Sequence, residues 1–379
     1  MKMRKVKVSE FAEVITGGTP STSIPEYWDN GTIPWLQSGA CQNCIITDCD
    51  TFITQAGLDN SAAKMMKPDS VLIALTGATT GKVGYLTFEA CANQSVTGIQ
   101  PNESFVPKYL YYYLLGIRQK ILDDSYGGAQ KHISQGYVKN LEIPLGTITE
   151  QKNIVEKFDH LSQIISFRQQ ELDRIDNLIK ARFVEMFGDP KKNNKNLVSI
   201  GSIGHLNSGG TPSRGKPEYF QGNIKWFTAG ELNSLYLGDT IEHISEDGLK
   251  NSSAKLFKKG TLMIGMYDTA AFKMGILTED SASNQACANL EPNDNYDVIW
   301  LYYVFSILKP LYLNERQGVR QQNLSLTKIK NLQFPAEPFD KQKKFADFVR
   351  QVDKSKVAVQ KSLDETQLLF DSLMQKYFG

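Results

Sequence analysis

Along residues 149–187 and 339–378 apolar side chains return at alternating steps of four and three. Ile154, Phe158, Leu161, Ile165, Arg168, Leu172, Ile175, Ile179, Arg182 and Met186 follow that spacing. Phe345, Val349, Val352, Lys356, Val359, Leu363, Thr366, Phe370, Leu373 and Tyr377 repeat it, and neither stretch holds Gly or Pro before its final turn. A heptad seam kept up this long predicts a coiled-coil helix in each stretch. The competing reading is an amphipathic helix lying on its own globular domain; two equal seams in one chain weigh against it. The remaining segments alternate short apolar runs with clusters of Gly, Asn, Ser and Thr. Val71–Ala74 and Thr261–Ile264 read as buried strands, each followed by a loop and a second strand (Tyr85–Thr87, Ile276–Thr278). Val106–Leu122 and Val298–Leu313 read as aromatic-rich helices, the second with Pro310 near its end.

These patterns occur twice because the chain is an internal duplication. Gly17-Gly18-Thr19-Pro20-Ser21 recurs as Gly209-Gly210-Thr211-Pro212-Ser213, and Pro25-Glu26-Tyr27 as Pro217-Glu218-Tyr219. One residue is then lost, and Trp35, Lys82, Asn93-Gln94 and Tyr111-Tyr112 match Trp226, Lys273, Asn284-Gln285 and Tyr302-Tyr303. Phe187-Gly188 matches Phe378-Gly379. A unit of this size is too long for a solenoid repeat. The expected class is α+β: two mixed α/β heads joined by two long helices that form an antiparallel coiled coil, as a pseudo-twofold repeat. The expected divisions are a head over 1–148, a central spacer helix over 149–190, a second head over 191–336 and a C-terminal spacer helix over 337–379.

Connectivity sets the expected geometry. Gly188-Asp189-Pro190 ends the first helix and the second head begins a few residues later, so the second helix must run back along the first. About 38 residues at 1.5 Å each make a pair about 57 Å long, with a head expected at either end. Setting Ile154 beside Tyr377 places Leu161 by Phe370, Arg168 by Leu363, Ile175 by Lys356, Arg182 by Val349 and Met186 by Phe345. Every polar seam residue then faces an apolar one, with the Arg and Lys stems covering apolar surface. Off the seam stand Ile164, Phe167, Leu178, Phe183, Phe348, Leu368, Leu369 and Met374. Either the heads cover them or they form a docking surface for partner helices; the mid-helix positions Ile164 and Phe167 favour docking.

Composition adds exclusions more than leads. Hydrophobic residues are 41% of the 379, charged residues 22%, and the formal charge is +1. No apolar run approaches a membrane span, no apolar segment follows the basic start, and five cysteines in no even framework suit a reducing cytoplasm. Thr76-Gly77-Ala78-Thr79-Thr80-Gly81-Lys82 has a superficial likeness to a phosphate loop. It lacks the spacing and the hydroxyl after Lys82, and its twin Tyr267–Lys273 loses both glycines. Cys41, Cys44 and Cys49 hold one CxxC but no second pair, and no nucleophile–base constellation is shared by the two halves. Neither a metal nor a catalytic site is expected.

Several motifs together carry a resemblance. They are the GGTPS…PEY opening of each half, the later Asn-Gln pair, and Gly127…Gln130…Ile133-Ser134 with its twin Gly318…Gln321…Leu324-Ser325. Ile143-Pro144…Glu150-Gln151 and Phe334-Pro335…Lys341-Gln342 then precede the long helices. In these features, and in its head–helix–head–helix order, the whole chain resembles the specificity subunit of type I restriction-modification systems. The family pattern has Pro-Pro-Leu-x-Glu-Gln before each helix; only fragments stand here, and Lys341 replaces the Glu.

The resemblance implies a non-catalytic DNA specificity subunit with two target-recognition domains. Each reads half of a bipartite, gapped site in double-stranded DNA. Two adenine-methyltransferase subunits carrying AdoMet dock on the spacer, and restriction subunits using ATP and Mg join where present. The chain itself is expected to hold no cofactor and to act in the cytoplasm. Its heads are nearly neutral, with 12 basic and 13 acidic residues over 1–148 and 16 and 13 over 191–336, so phosphate contacts must come from local patches. Candidate DNA contacts are Lys64, Lys67, Thr79, Thr80, Lys82, Gln130, Lys131 and His132 in head one. In head two they are Lys255, Lys258, Tyr267, Thr269, Lys273, Arg320, Gln321, Gln322 and Asn323. Base reading belongs where the heads differ, at Gln130-Lys131-His132 against Gln321-Gln322-Asn323 and at Thr76–Thr80 against Tyr267–Thr269. The competing readings are a two-headed scaffold that binds no DNA and an enzyme using nucleotide at the Lys82 loop. Because the chain end is expected to return near its start, a circular permutant beginning near Lys191 should fold cooperatively; an unfolded permutant by circular dichroism would contradict the duplicated arrangement.

Overall fold

The computed structural model describes residues 4–128, 131–193, 195–314 and 323–379. The chain divides into two compact units, Met1–Gln169 with Lys361–Gly379 and Gln170–Gln360. Each contains one head and parts of both long helices.

In unit one a five-stranded sheet runs in the order Val14–Thr16, Val96–Ile99, Val71–Ala74, Val83–Leu86, Cys44–Ile46, antiparallel except for the last pair. A smaller sheet joins Phe52–Ile53, Ile33–Leu36 and Cys91–Ala92. Unit two repeats the larger sheet strand for strand as Gly204–Ser208, Cys287–Pro292, Leu262–Gly265, Met274–Leu277 and Tyr236–Leu237, with the same senses. The apolar runs expected as buried strands are its central members, and Val71–Ala74 is wholly buried. A strand covered on both faces has no use for alternating polar residues.

The duplicated motifs have structural work in both copies. A Cβ on Gly17 would lie 2.0 Å from the Ala92 carbonyl oxygen, and one on Gly209 2.2 Å from that of Ser283. Gly18 and Gly210 sit equally tight against Ala62 and Ser253, and their carbonyls accept the indole N–H of Trp35 and Trp226 at 2.9 Å. Only glycine lets the chain pass this close. Each head is also closed by its own ends: Arg4–Lys7 pairs with Glu142–Leu145, and Leu197–Ser199 with Gln333–Pro335.

The long helices run unbroken over Ile148–Phe187 and Phe339–Phe378. All twenty seam positions are buried or half-buried. In unit two Asp176 meets Lys356 at 2.6 Å while Phe183 meets Phe345 at 5.3 Å between centroids, so residue numbers rise on one segment as they fall on the other. That is the antiparallel sense, in the expected register. Lys356 rests on more than an apolar neighbour, since its ammonium pairs with Asp176 beside the seam. In unit one Phe158 is enclosed by Tyr112, Phe370, Tyr377 and Phe378. Near the heads the helices enter the head cores: Ile154 and Phe158 join the cluster of Tyr109 and Tyr112, and Phe183 and Phe345 that of Trp300 and Phe305.

A buried amide in the first turn of each long helix bonds it to its head. Gln151 Oε1 accepts the N–H of Val106 at 2.8 Å while its Nε2 donates to the Gly146 carbonyl. Gln342 Oε1 accepts from Asp297 N at 2.9 Å and its Nε2 donates to the Glu337 carbonyl at 2.7 Å. Both side chains are buried. Thr147 and Glu150 form a reciprocal cap on the first helix, which holds the Glu150 carboxyl below its usual range. Lys341, standing where that Glu would be, reaches Glu337 instead at 3.7 Å.

One expected helix is divided. Val106–Leu122 becomes Pro107–Gly116 and Arg118–Asp123, broken at Ile117. Gly116 favours the break, and its missing side chain makes room for Phe378, 3.3 Å from where a Cβ would stand. Val298–Leu313 stays whole and carries Pro310 in its last turn.

Truncating Phe158 empties the middle of an aromatic cluster. Phe158→Ala should destabilise unit one by about 3–5 kcal/mol in urea unfolding, whereas the exposed Phe167→Ala should stay within about 0.5 kcal/mol of the parent.

Candidate nucleic-acid interface

The loop that follows the central strand of each head is built the same way from unlike residues. In head one Gly77 and Gly81 take φ of +73° and +72°. In head two Asp268 and Phe272 hold the matching positions at +48° and +56°. Asp tolerates that region, but Phe pays roughly 1–2 kcal/mol for it. Phe272 is held there by complete burial against Tyr312, 4.9 Å away between ring centroids. The backbone bonds also correspond. Gly81 N donates to Ala74 O as Phe272 N does to Gly265 O, and Lys82 N donates to Thr79 O as Lys273 N does to Ala270 O. The amides of Gly81 and Lys82, and of Phe272 and Lys273, are thus spent inside the turn.

A second segment, distant in sequence, is zipped to this loop. In head one Gly77 N donates to Lys131 O at 3.1 Å, Ile133 N to Leu75 O at 2.9 Å, and Thr76 and His132 form an antiparallel bridge. In head two Leu324 N donates to Met266 O at 2.8 Å, and Tyr267 and Asn323 line one open pocket of about 490 Å³. In head one the loop and the segment around Lys131 and His132 thus form a single surface, and in head two the described part of the second segment, from Asn323, meets the loop in the same way.

Individual candidates divide. Thr79 is half-buried, bonding to Thr76 O, and Thr269 and Tyr267 are exposed. Lys82 Nζ rests on Gln42 Oε1 at 2.5 Å at the loop surface, and Lys273 is half-buried. Thr80 is a correction: it is 1% exposed, and its hydroxyl joins the carbonyls of Gly77 and Lys131, so it ties the two segments together and cannot touch a base. Lys131 is exposed but its ammonium sits on the Leu122 carbonyl at a helix end. His132 packs edge-on against Tyr126 at 4.9 Å. Lys64, Lys67, Lys255 and Lys258 are exposed on other segments, those next to the backbone that covers Gly18 and Gly210. Gln130, Arg320, Gln321 and Gln322 lie outside the described residues.

Two basic residues escaped the sequence reading. Arg118 lies over the loop, its Cγ 3.9 Å from where a Gly81 Cβ would be, and its Nε is buried without a partner. Lys309 is its twin at the same offset that relates Lys82 to Lys273. Burial, then the neighbouring charge of Lys273, holds the Lys309 ammonium below the usual lysine value. Each loop lysine therefore has a second cation from the aromatic helix region beside it. Applying the repeat offset to every basic residue, and not only to motif residues, would have found both.

Of the cysteines, Cys41, Cys91 and Cys287 are buried, which pushes each thiol up to about 12. Among the described residues no three potential metal ligands converge, and none of the helices is long and apolar enough to cross a membrane. On the long helices Ile164, Phe167, Leu178, Leu368 and Leu369 are exposed, with Phe167 at 65% and Leu368 at 70%. Phe183, Phe348 and Met374 are corrections to the docking set. Phe183 is buried in the unit-two core, Phe348 packs against that core, and Met374 packs against the core of unit one. The heads cover the apolar residues near the helix ends, as a short two-helix segment cannot bury two stripes itself. Val357, 61% exposed, and Val184, 47% exposed, also stand in solvent although the spacing had not singled them out.

Known proteins share this arrangement. The chain is 28% identical over 167 residues to the specificity subunit of the type I restriction enzyme EcoR124I/EcoR124II of Escherichia coli, covering 42% of this chain and 41% of that one. It is 23% identical over 279 residues to the MjaIX specificity subunit of Methanocaldococcus jannaschii, covering 68% and 64%. It thus spans less than two thirds of the length of these relatives. In fold it is similar to the type I restriction-modification S subunit of M. genitalium, with a TM-score of 0.59 at 16% identity over 100% of this chain and 96% of that one. A chain from a structure of complex assembly and conformational transition in the type I system gives 0.56 at 18%, over 100% and 97%. The model of the type I restriction modification DNA specificity domain matches twice, over residues 2–177 and 192–366. A duplicated match over most of the chain, on heads whose loops keep one frame with different side chains, makes this protein a member of the type I restriction-modification DNA specificity family.

Proposed function

We propose that this chain is the sequence-specificity subunit of a type I restriction-modification system and performs no chemistry itself. Each head reads one half of a bipartite, gapped site in double-stranded DNA. Two adenine-methyltransferase subunits, which bring AdoMet, dock on the uncovered faces of the long helices. Restriction subunits using ATP and Mg join where the system has them, and the complex works in the cytoplasm. The observation that carries the reading is the pair of loops 76–82 and 267–273. Their backbone is the same in both heads, while the side chains they display are not. A shared frame gives both heads one way to approach a duplex, and unlike side chains give unlike half-sites. Lys82 with Arg118, and Lys273 with Lys309, supply the phosphate contacts that set position without reading sequence.

Methylome sequencing of a host expressing the chain with its cognate methyltransferase should return one gapped adenine-methylation motif, and replacing residues 1–148 should change one half of it only. Ungapped methylation, or change in both halves, would sink the proposal. In binding assays with the assembled methyltransferase, Lys82→Ala and Arg118→Ala should weaken all sequences alike and each reduce the slope of log affinity against log salt by about 0.9. His132→Ala should relax one half-site by about 1–3 kcal/mol of discrimination and leave that slope unchanged; the opposite assignment of effects would reverse the roles given to loop and bridge.

A further inference from the structure

The pocket of head two between Tyr267 and Asn323 has no partner for one of its own polar groups. Asn323 Oδ1 is buried and makes no hydrogen bond. Gln285 and Lys328 line the same space, and Tyr267 is 39% exposed at its edge. Ser325, also in the lining, is occupied in accepting the Lys328 N–H. The matching positions in head one bond to neighbouring segments. His132 exchanges backbone bonds with Tyr126, Gln135 Nε2 donates to Val14 O at 3.2 Å, and Tyr137 donates to Asp124 at 2.8 Å. Two side chains of head one at these positions are thus engaged, while in head two Asn323 Oδ1 is open.

We infer that this pocket is a base-reading subsite, in which Asn323 accepts a hydrogen bond from an exocyclic amino group, the N6 of adenine or the N4 of cytosine, at one position of the half-site read by head two. An unpaired buried acceptor is costly, and a terminal amide turns readily about χ2. Rotating Asn323 toward an incoming donor breaks no existing bond, so the whole gain of the new bond counts toward the correct base. A thymine or guanine carbonyl in the same place could be met only by Asn323 Nδ2, which leaves Oδ1 unpaired and forgoes the gain that an amino-bearing base supplies. Tyr267 adds an aromatic surface at the rim. The inference rests on the DNA-reading function proposed above.

The test uses the full chain co-expressed with its methyltransferase, read by methylome sequencing and by thermal melting of the complex. Asn323→Ala should leave the head-one half-site intact and make one position of the other half-site degenerate, with preference there falling about five- to a hundredfold. Its melting temperature should be unchanged or higher, because a buried acceptor without a partner has been removed. Asn323→Asp keeps an acceptor and should keep selection of an amino-bearing base. An unaltered motif in Asn323→Ala, degeneracy in the head-one half, or loss of the whole motif with a lowered melting temperature would overturn the subsite. If the parent protein gave no gapped motif, the DNA-reading function would fail, and this subsite with it.

Discussion

The surface that each head exposes is held in place by the attachment of that head to the helix that leaves it. Two glutamines, Gln151 and Gln342, anchor it beside the apolar packing of helix on head. Each is buried in the first turn of a long helix, and each spends its amide oxygen on a backbone N–H at the start of the head's aromatic helix and its amide nitrogen on a carbonyl of the connecting segment. Helix starts leave N–H groups without intrahelical partners, and burying one unpaired is costly. A side chain carrying both a donor and an acceptor meets the need at a single point. The exposed neighbour differs between the copies: Glu150 caps its helix with Thr147, whereas Lys341 pairs with Glu337.

Around this attachment the two heads reuse their packing and differ in their surfaces. The glycines of the opening motif, the tryptophans that donate to them and the closing strands recur because each is dictated by backbone approach or ladder pairing. The ion pairs that join head to helix differ between the copies. Head one fastens its aromatic helix through Lys108 and Tyr112 to Asp159, and head two through Asp297 to Arg350. Both pairs are partly buried, with the Asp297 side chain only 10% exposed, and each copy makes the link with different residues. The central loop shows the same division inside a single element. Its hydrogen bonds and left-handed residues persist while glycines give way to Asp268 and Phe272, the latter stabilised by burial in place of conformational freedom.

The exposed apolar residues follow a similar logic. Phe183, Phe348 and Met374 lie near the heads and are drawn into their cores, whereas Ile164, Phe167, Leu368 and Leu369 remain in solvent. Spacing alone could say that these side chains lay off the seam. It could not say which of them a head would reach, since that depends on where the aromatic helices 107–116 and 298–313 come to rest.

What the chain determined by itself was whatever is written in local period and repetition. The duplication, both seams with their register, the buried strands and the motifs that mark the family are one-dimensional patterns, and hydrophobic periodicity carries them without reference to contacts. Tertiary structure alone decided which polar residues are working surface and which are spent. Thr80 reads like a loop contact, yet it is buried in bonding Lys131 O. Arg118 reads like any surface helix residue, yet it lies on the loop. Asn323 gained its interest only when its oxygen proved to lack a partner. Satisfaction of a hydrogen-bonding group depends on atoms brought together from distant parts of the chain, and no spacing along a sequence records it.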